Sequence, residues 1–462
     1  MRVAWFSPLP PDRSGIAAYC AELLPLLAGR HQIELFIDDG GHAGAEAAVT
    51  PIPGVVIRGA YDFAWRHAAH PFDVCVYQLG NELCHDYMWP YLVHYPGLVV
   101  MHDGQLHQSR AAGLLRRWRF DDYRAEFSYS HPHAAHGMHE MVILGLGEAV
   151  RSLYYEYPMV RVPVEAARVV AVHSEQLADD LRADVPDAII VRIRQGLRDL
   201  SAGSSGTTAR LRATLGIPED AVIFAAFGRA TPEKRLTAVL RALGQLKSSG
   251  QAGRAHLLCV GATPRYYDVR KEAAIFDVAE RVTVTGYVDD GDVGNYLALA
   301  DAGLCLRWPS GRETSGSWIR CIAAGKPTII NDLAHMADVP ALDPRSMQAL
   351  PAGDVPPADR DPVAFTVELI DEVHMLRLAI RHLTESAGLR ERLGRSARAY
   401  WQRHATVELM AEDYDALLVQ TPSAKAVSRP GWPPHLTSDG TQRARAIGRE
   451  MGVALDWLPA GP

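Results

Sequence analysis

Arg229 and Lys234 stand in Gly228-Arg229-Ala230-Thr231-Pro232-Glu233-Lys234-Arg235, directly after the apolar run AVIFAAF at 221–227. A loop that leaves a buried strand puts such residues at the carboxyl edge of a sheet. Gly228 and Pro232 shape the turn. Arginine can grip two phosphate oxygens at once and lysine adds a compact charge, so the pair suits a diphosphate. The same residues would also serve an ordinary solvated strand-to-helix turn. The spacing is not that of a G-x-x-x-x-G-K-[ST] phosphate loop.

A second chemical stretch runs from 308 to 332, WPSGRETSGSWIRCIAAGKPTIIND. Ser315, Gly316 and Ser317 can open a helix: a short hydroxyl side chain caps free N–H groups, and Gly316 lets backbone approach a ligand. Gly325 and Pro327 would close it. The helix start offers N–H donors and partial positive charge to an anion or to sugar hydroxyls beside Glu313 and Thr314. A third candidate is His102, which follows the run LVVM and would lie at a strand's carboxyl end. His173, after RVVAV, is a weaker competitor.

These residues need strands and helices to aim them. VAWFS (3–7), IELFI (33–37), DVCVYQLG (73–80), LVVMHD (98–103), RVVAVHSE (168–175) and AIIVRI (188–193) alternate with longer connections. That pattern predicts a parallel sheet flanked by helices. After strand 3–7 comes PLPPDRSG, then a helix from about Ile16 carrying Cys20, Leu23, Leu24 and Leu27 on one face, with a kink expected at Pro25. Arg13, Ser14 and Gly15 would then border a ligand site beyond the strand ends. SAGSSGTT (201–208) has linker composition. The rhythm restarts with AVIFAAFG (221–228), AHLLCVG (255–261), RVTVTG (281–286), DAGLCL (301–306) and PTIIN (327–331). The fold class is α/β, and the region 363–418 reads as helical.

Composition narrows the classes of function. The chain has 462 residues and a net charge of −7 with both signs interspersed, which gives no electrostatic case for nucleic acid. Six scattered cysteines without a C-x-x-C pair suit reduced thiols in a cytosol. MRVAWFSPLPP shows no secretory leader pattern, and no apolar run approaches ~18 residues, so no membrane span is expected. The segment 110–127 combines Arg110, Arg116, Arg117, Arg119 and Arg124 with Leu114, Leu115, Trp118 and Phe120. It could be a solvated helix face, or it could lie against anionic lipid or a phosphate-bearing acceptor. His131, His133, His136 and His139 invite a zinc reading. Their proline- and glycine-rich setting favours an acceptor-side loop instead, and no metal is assigned.

The loop 228–235 and the stretch 308–332 together resemble the retaining glycosyltransferases of the GT-B fold, of the glycosyl transferases group 1 type. Strand-Gly-Arg-x-x-Pro-Glu-Lys is similar to that family's diphosphate-gripping motif. Glu313 with Thr314-Ser315-Gly316-Ser317, ending in Ala323-Ala324-Gly325-Lys326-Pro327, is similar to its donor-sugar motif. Arg320 stands where the family's second glutamate is expected.

The resemblance implies two doubly wound Rossmann-like domains facing across a cleft. Their expected extents are 1–200 on the acceptor side and 201–395 for the nucleotide sugar, with a helix at 396–418 crossing back and a partly mobile tail at 419–462. It implies catalytic roles for His102, Arg229, Lys234 and Glu313. It implies donor contacts from Gly15, Gly228, Tyr287, Val288, Thr314, Ser315, Gly316 and Ser317, the tyrosine and valine lying near the base. The expected reaction is metal-independent hexosyl transfer, with retention, from a nucleotide-diphosphate sugar to a glycan or lipid-linked acceptor in bacterial polysaccharide or glycolipid assembly. No further cofactor is required, and the expected location is the cytoplasm or the inner face of the membrane. The alternative is a non-catalytic scaffold that binds nucleotide sugar or glycan.

Overall fold

A computed structural model of the chain describes residues 1–12, 14–38, 49–146, 151–200, 205–251, 253–336, 338–350, 360–427, 431–438 and 441–453. Arg13 and positions 201–204 of the linker stretch lie outside the described residues. The chain sorts into two compact units, one formed by Met1–Ile193 with Asp413–Pro462 and the other by Arg194–Glu412. It leaves the first unit after Ile193 and rejoins it at Asp413, within the helix Val407–Gln420.

The first unit is built on seven strands: Arg2–Phe6 (β1), Gln32–Ile37 (β2), Val55–Gly59 (β3), Val74–Leu79 (β4), Leu98–Met101 (β5), Val169–Val172 (β6) and Ile190–Arg192 (β7). All pair in parallel, in the order β3-β2-β1-β4-β5-β6-β7. The order reverses between β1 and β4, which makes that edge the switch point of a doubly wound sheet. Every residue of β4 is buried, as expected for a strand covered by helices on both faces. Phe6 packs 5.3 Å from Phe36, 5.0 Å from Phe63 and 4.8 Å from Tyr77 between ring centres. Offset and edge-on ring pairs of this kind each add about 0.5–1.5 kcal/mol beyond the area they bury.

The second unit repeats the plan with Val222–Phe227 (β8), Ala255–Val260 (β9), Val282–Val284 (β10), Ala302–Cys305 (β11), Thr328–Asn331 (β12), Ala341–Leu342 (β13) and Ala364–Val367 (β14). The strands are parallel in the order β10-β9-β8-β11-β12-β14-β13. Strands β8 and β9 are buried throughout. The chain is thus α/β, with one doubly wound parallel sheet in each unit.

Several elements depart from expectation. Positions 363–367 are not helical; β14 inserts between β12 and β13, with Thr328 opposite Ala364. Thr366 interrupts the apolar run of β14, AFTV, and sheet pairing decides its state. Strand β3 was equally invisible because its residues are only partly covered. The segment 110–127 divides into the helices His107–Leu115 and Phe120–Ser130, with Trp118 at φ +57° between them. Pro25 stands inside the continuous helix Gly15–Ala28 without ending it. Trp432 and Leu436, from the proline-rich tail, are buried in the core of the first unit, where Trp432 Nε1 donates to Glu165 Oε2 at 2.8 Å.

Candidate active site

In the second unit the candidate residues assemble around the carbonyl oxygen that ends β8. Phe227 O accepts hydrogen bonds from Lys234 Nζ and from Ser317 Oγ, the latter at 3.2 Å. Lys234 turns back because Gly228 takes φ +84° and Pro232–Lys234 forms one short 3-10 turn. A side chain at Gly228 would bring its Cβ to 3.0 Å from Lys234 Nζ. Burial, and then the nearby Arg307 charge, lower the Lys234 ammonium to about 8. Arg229 is exposed beside this turn.

The turn is fastened from below. Arg235 has φ +58°, a left-handed conformation that costs a side-chain-bearing residue on the order of 1 kcal/mol. Its guanidinium makes a forked contact with Glu372, at 3.0 Å from Nε and 2.6 Å from Nη2. Glu372 is 4% exposed. Asn331 Nδ2 donates to Glu372 at 3.4 Å, and Asn331 Oδ1 accepts the Arg307 amide at 2.7 Å. The connections after β8, β11, β12 and β14 are thereby joined at the carboxyl edge of the sheet.

Ser315 caps the helix Gly316–Ala323, its Oγ accepting from Trp318 N at 3.3 Å. Gly316 is exposed, and Thr314 and Ser317 are half-buried beside it. Glu313 is paired with Arg307 and accepts from Ser310 Oγ at 3.1 Å. Arg320 is held by Asp290 at 3.2 Å. Gly286 takes φ +78° and bridges to Gly261; Tyr287 is half-exposed after it, while Val288 packs against the core. A Cβ at Gly261 would fall 2.4 Å from Gly228 O, so only glycine allows these two loops to touch. A separate pocket, lined by Leu200, Arg212, Ile217, Ala298 and Lys326, contains none of the candidate residues.

In the first unit His102 follows β5, and its Nε2 lies 2.7 Å from Gln78 Oε1. Gln78 Nε2 donates to Tyr414 OH at 3.2 Å, which orients the amide so that its oxygen faces the ring. Tyr414 OH and Tyr19 OH are 2.8 Å apart, and Tyr19 meets His102 edge-on with centroids 4.7 Å apart. Burial, followed by His173 and His85, holds the His102 pKa well below the usual imidazole range. A neutral ring donating from Nε2 keeps Nδ1 as an acceptor for a hydroxyl. His173 lies tilted against His102 with ring centres 5.2 Å apart, its Nδ1 at 3.3 Å from Ile193 O. Gly15 opens the helix Gly15–Ala28 on Ser14, with open space where a side chain would be.

The other candidate groups are occupied. Arg110 is buried between Asp86 and Glu126, Arg117 also meets Asp86, Arg119 meets Asp122, and Arg124 meets Glu140. Leu114 is buried, while Arg116, Arg117 and Trp118 are exposed, Arg117 remaining paired with Asp86. His131 accepts from Met159 N at 3.1 Å, while His133 and His136 are exposed in a turn and share no helix face. No described helix is long and apolar enough to cross a membrane.

Arg307, Asn331 and Glu372, together with Gln78 and Tyr414, escaped sequence reasoning. Arg307 follows an apolar run directly, and Gln78 is the lone amide in VCVYQL; both carried a readable signal. Tyr414 carried none, since 336 residues separate it from Gln78.

Residues 221–355 match the family described as Glycosyl transferases group 1. No curated protein matches the chain. Among solved structures, HepE from Anabaena in complex with UDP and glucose is 13% identical with a TM-score of 0.55, covering 91% of this chain and 100% of its own. Sucrose-phosphate synthase from Thermosynechococcus elongatus is 16% identical with a TM-score of 0.59, covering 92% and 100%. A glycosyltransferase from Rickettsia africae is 13% identical with a TM-score of 0.59, covering 91% and 98%. The chain thus shares the GT-B fold over about nine-tenths of its length, and within the second unit residues 221–355 match the group 1 glycosyl transferases.

Proposed function

We propose that the protein transfers a hexose from a nucleotide-diphosphate sugar to a glycan or lipid-linked acceptor, with retention of anomeric configuration and without a metal at the phosphates. The observation that carries this reading is the convergence of Lys234 and Ser317 on Phe227 O at the carboxyl edge of β8. Transfer builds negative charge on the departing phosphate. Lys234, Arg229 and the N–H groups at the start of the helix Gly316–Ala323 would stabilise that charge. Gly228 allows the phosphates to approach the loop.

Glu313 and His102 are assigned to sugar hydroxyls, and Tyr287, Val288 and Thr314 to the nucleotide. No carboxylate is assigned as nucleophile; the acceptor attacks on the face the phosphate leaves, and that phosphate takes the proton. UDP and glucose in the HepE complex are consistent with a nucleotide-sugar donor here. Six free cysteines suit a reducing cytosol. Contact with an anionic membrane through 110–127 would rest on Trp118 and Arg116.

The test is thermal stabilisation by UDP-, GDP- and ADP-sugars, followed by donor turnover with the donor that binds. A bound donor raises stability by mass action. Replacing Arg229 and Lys234 together by Ala should abolish turnover and leave the fold intact; unchanged turnover would refute the assignment. The second reading is a scaffold that binds a nucleotide sugar without transferring it. Its support is Arg320, a cation engaged by Asp290 where the family's second glutamate would stand. Binding with neither hydrolysis nor transfer would favour it.

A further inference from the structure

Outside the residues assigned to the donor, the turn after β4 gathers three different metal-binding groups. A carboxylate oxygen of Glu82, the Cys84 sulfur and a His85 ring nitrogen lie within 4.8 Å of one another. They are the one such group of three among the described residues. His85 is 1% exposed. Its Nδ1 lies 2.8 Å from the carbonyl oxygen of Gln78. A carbonyl can only accept, so the proton belongs on Nδ1 and Nε2 carries the lone pair. This buried Nε2 has no hydrogen-bond partner. An imidazole held by a backbone carbonyl through one nitrogen, with the other left as a donor atom, is the arrangement that orients histidine toward metals.

The surroundings fit that reading. The turn leaves the sheet beside the β1–β4 switch point, where doubly wound sheets take ligands. Gly80 precedes it, and a Cβ there would lie 2.3 Å from Ile16 Cδ1, 3.1 Å from His85 Nε2 and 3.4 Å from Asp103 Oδ2. Glycine therefore keeps open the small space that the imidazole and the Asp103 carboxylate both border. Cys84 is half-buried and Glu82 exposed, so an ion can enter from solvent. A sulfur, nitrogen and oxygen set suits zinc rather than calcium or magnesium, which take oxygen ligands.

We propose that Glu82, Cys84 and His85 bind a zinc-class divalent ion at the carboxyl edge of the first unit, with a coordination position left for water or another oxygen. Binding forms metal–sulfur, metal–nitrogen and metal–oxygen bonds, and the thiol proton leaves to bulk water. The site uses none of the residues assigned to the diphosphate.

The experiment titrates the metal-stripped full chain with Co2+ and then with Zn2+. The expected result is one Co2+ per chain, a thiolate-to-cobalt charge-transfer band, and displacement by an equal amount of Zn2+. Cys84→Ser should lose the band with the far-ultraviolet circular dichroism unchanged. Glu82→Gln, at an exposed position that tolerates change, should weaken cobalt binding by at least the roughly 10- to 100-fold that loss of an outer-shell partner costs. A band that survives Cys84→Ser, binding below stoichiometry, or unaltered affinity in Glu82→Gln overturns the proposal. Stoichiometric cobalt without a thiolate band does so too, and would point to the histidines at 131–139.

Discussion

Lys234 and Ser317, 83 positions apart in the chain, donate to the same carbonyl oxygen, that of Phe227. One residue comes from the loop after β8 and the other from the first turn of the helix Gly316–Ala323. The shared acceptor brings a cation and a helix N-terminus to one point, the combination to which the proposed function assigns the departing diphosphate.

Lys234→Met is expected to lower kcat/KM by about 10²–10³, the usual result of removing one group that stabilises charge in a transition state. The same variant should gain on the order of 1–2 kcal/mol in stability at pH 7, because a partly buried charge is replaced by an apolar chain. Donor kinetics and urea unfolding measure the two effects. Equal loss of both would mean that the lysine serves the fold alone.

The Lys234 ammonium is lowered to about 8 from 10.5. In the free enzyme it is charged below that point, so kcat/KM for the donor should fall as pH rises through about 8. Lys234→Arg should move the fall to higher pH. Stability runs the other way. Between pH 8 and 10.5 the unfolded chain holds the proton that the folded protein has released, so stability rises across this window. The slope should vanish in Lys234→Met.

Glu372→Ala strands Arg235 in its left-handed conformation and removes the partner of Asn331. The pair is buried on the Glu372 side and about one-third exposed on the Arg235 side. The expected loss is therefore about 2–3 kcal/mol, below the 3–5 kcal/mol typical when a fully buried pair is broken. Chemical denaturation measures it. Donor affinity should fall as well, because the loop carrying Lys234 loses its anchor.

Gly261→Ala drives a methyl group to 2.4 Å from the Gly228 carbonyl, a backbone atom. The loops must separate, at about 1–3 kcal/mol, the ordinary range for overpacking. Gly291→Ala, at an exposed position in the first turn of the helix Asp290–Leu299 with open space around it, should be neutral or mildly stabilising. Melting temperatures of the two variants form the comparison.

The buried strands were legible because a sheet covered on both faces writes itself as unbroken apolar runs. LVVM, VCVY, VIFAAF and LLCV are such runs, and each lies in a strand. Strands β3 and β14 were not legible, the first being half-exposed and the second having its apolar run broken by Thr366. At the site, Gly228, Lys234, Ser315 and Ser317 could be named because turn chemistry and helix capping are local. Glu372 and Tyr414 could not, since their partners lie 137 and 336 residues away and no local rule predicts such meetings. The basic segment at 110–127 shows the converse: its composition suggested a surface, yet carboxylates from elsewhere in the chain absorb Arg110 and Arg117.

The chain of contacts from Arg235 through Glu372 and Asn331 to the Arg307 amide stitches the ends of four neighbouring strands, β8, β11, β12 and β14. An incoming ligand would thus find its cradle already rigid. Little freedom would remain to be surrendered on binding, so calorimetry should record a small entropic penalty, and encounter should be limited by diffusion and charge rather than by loop rearrangement.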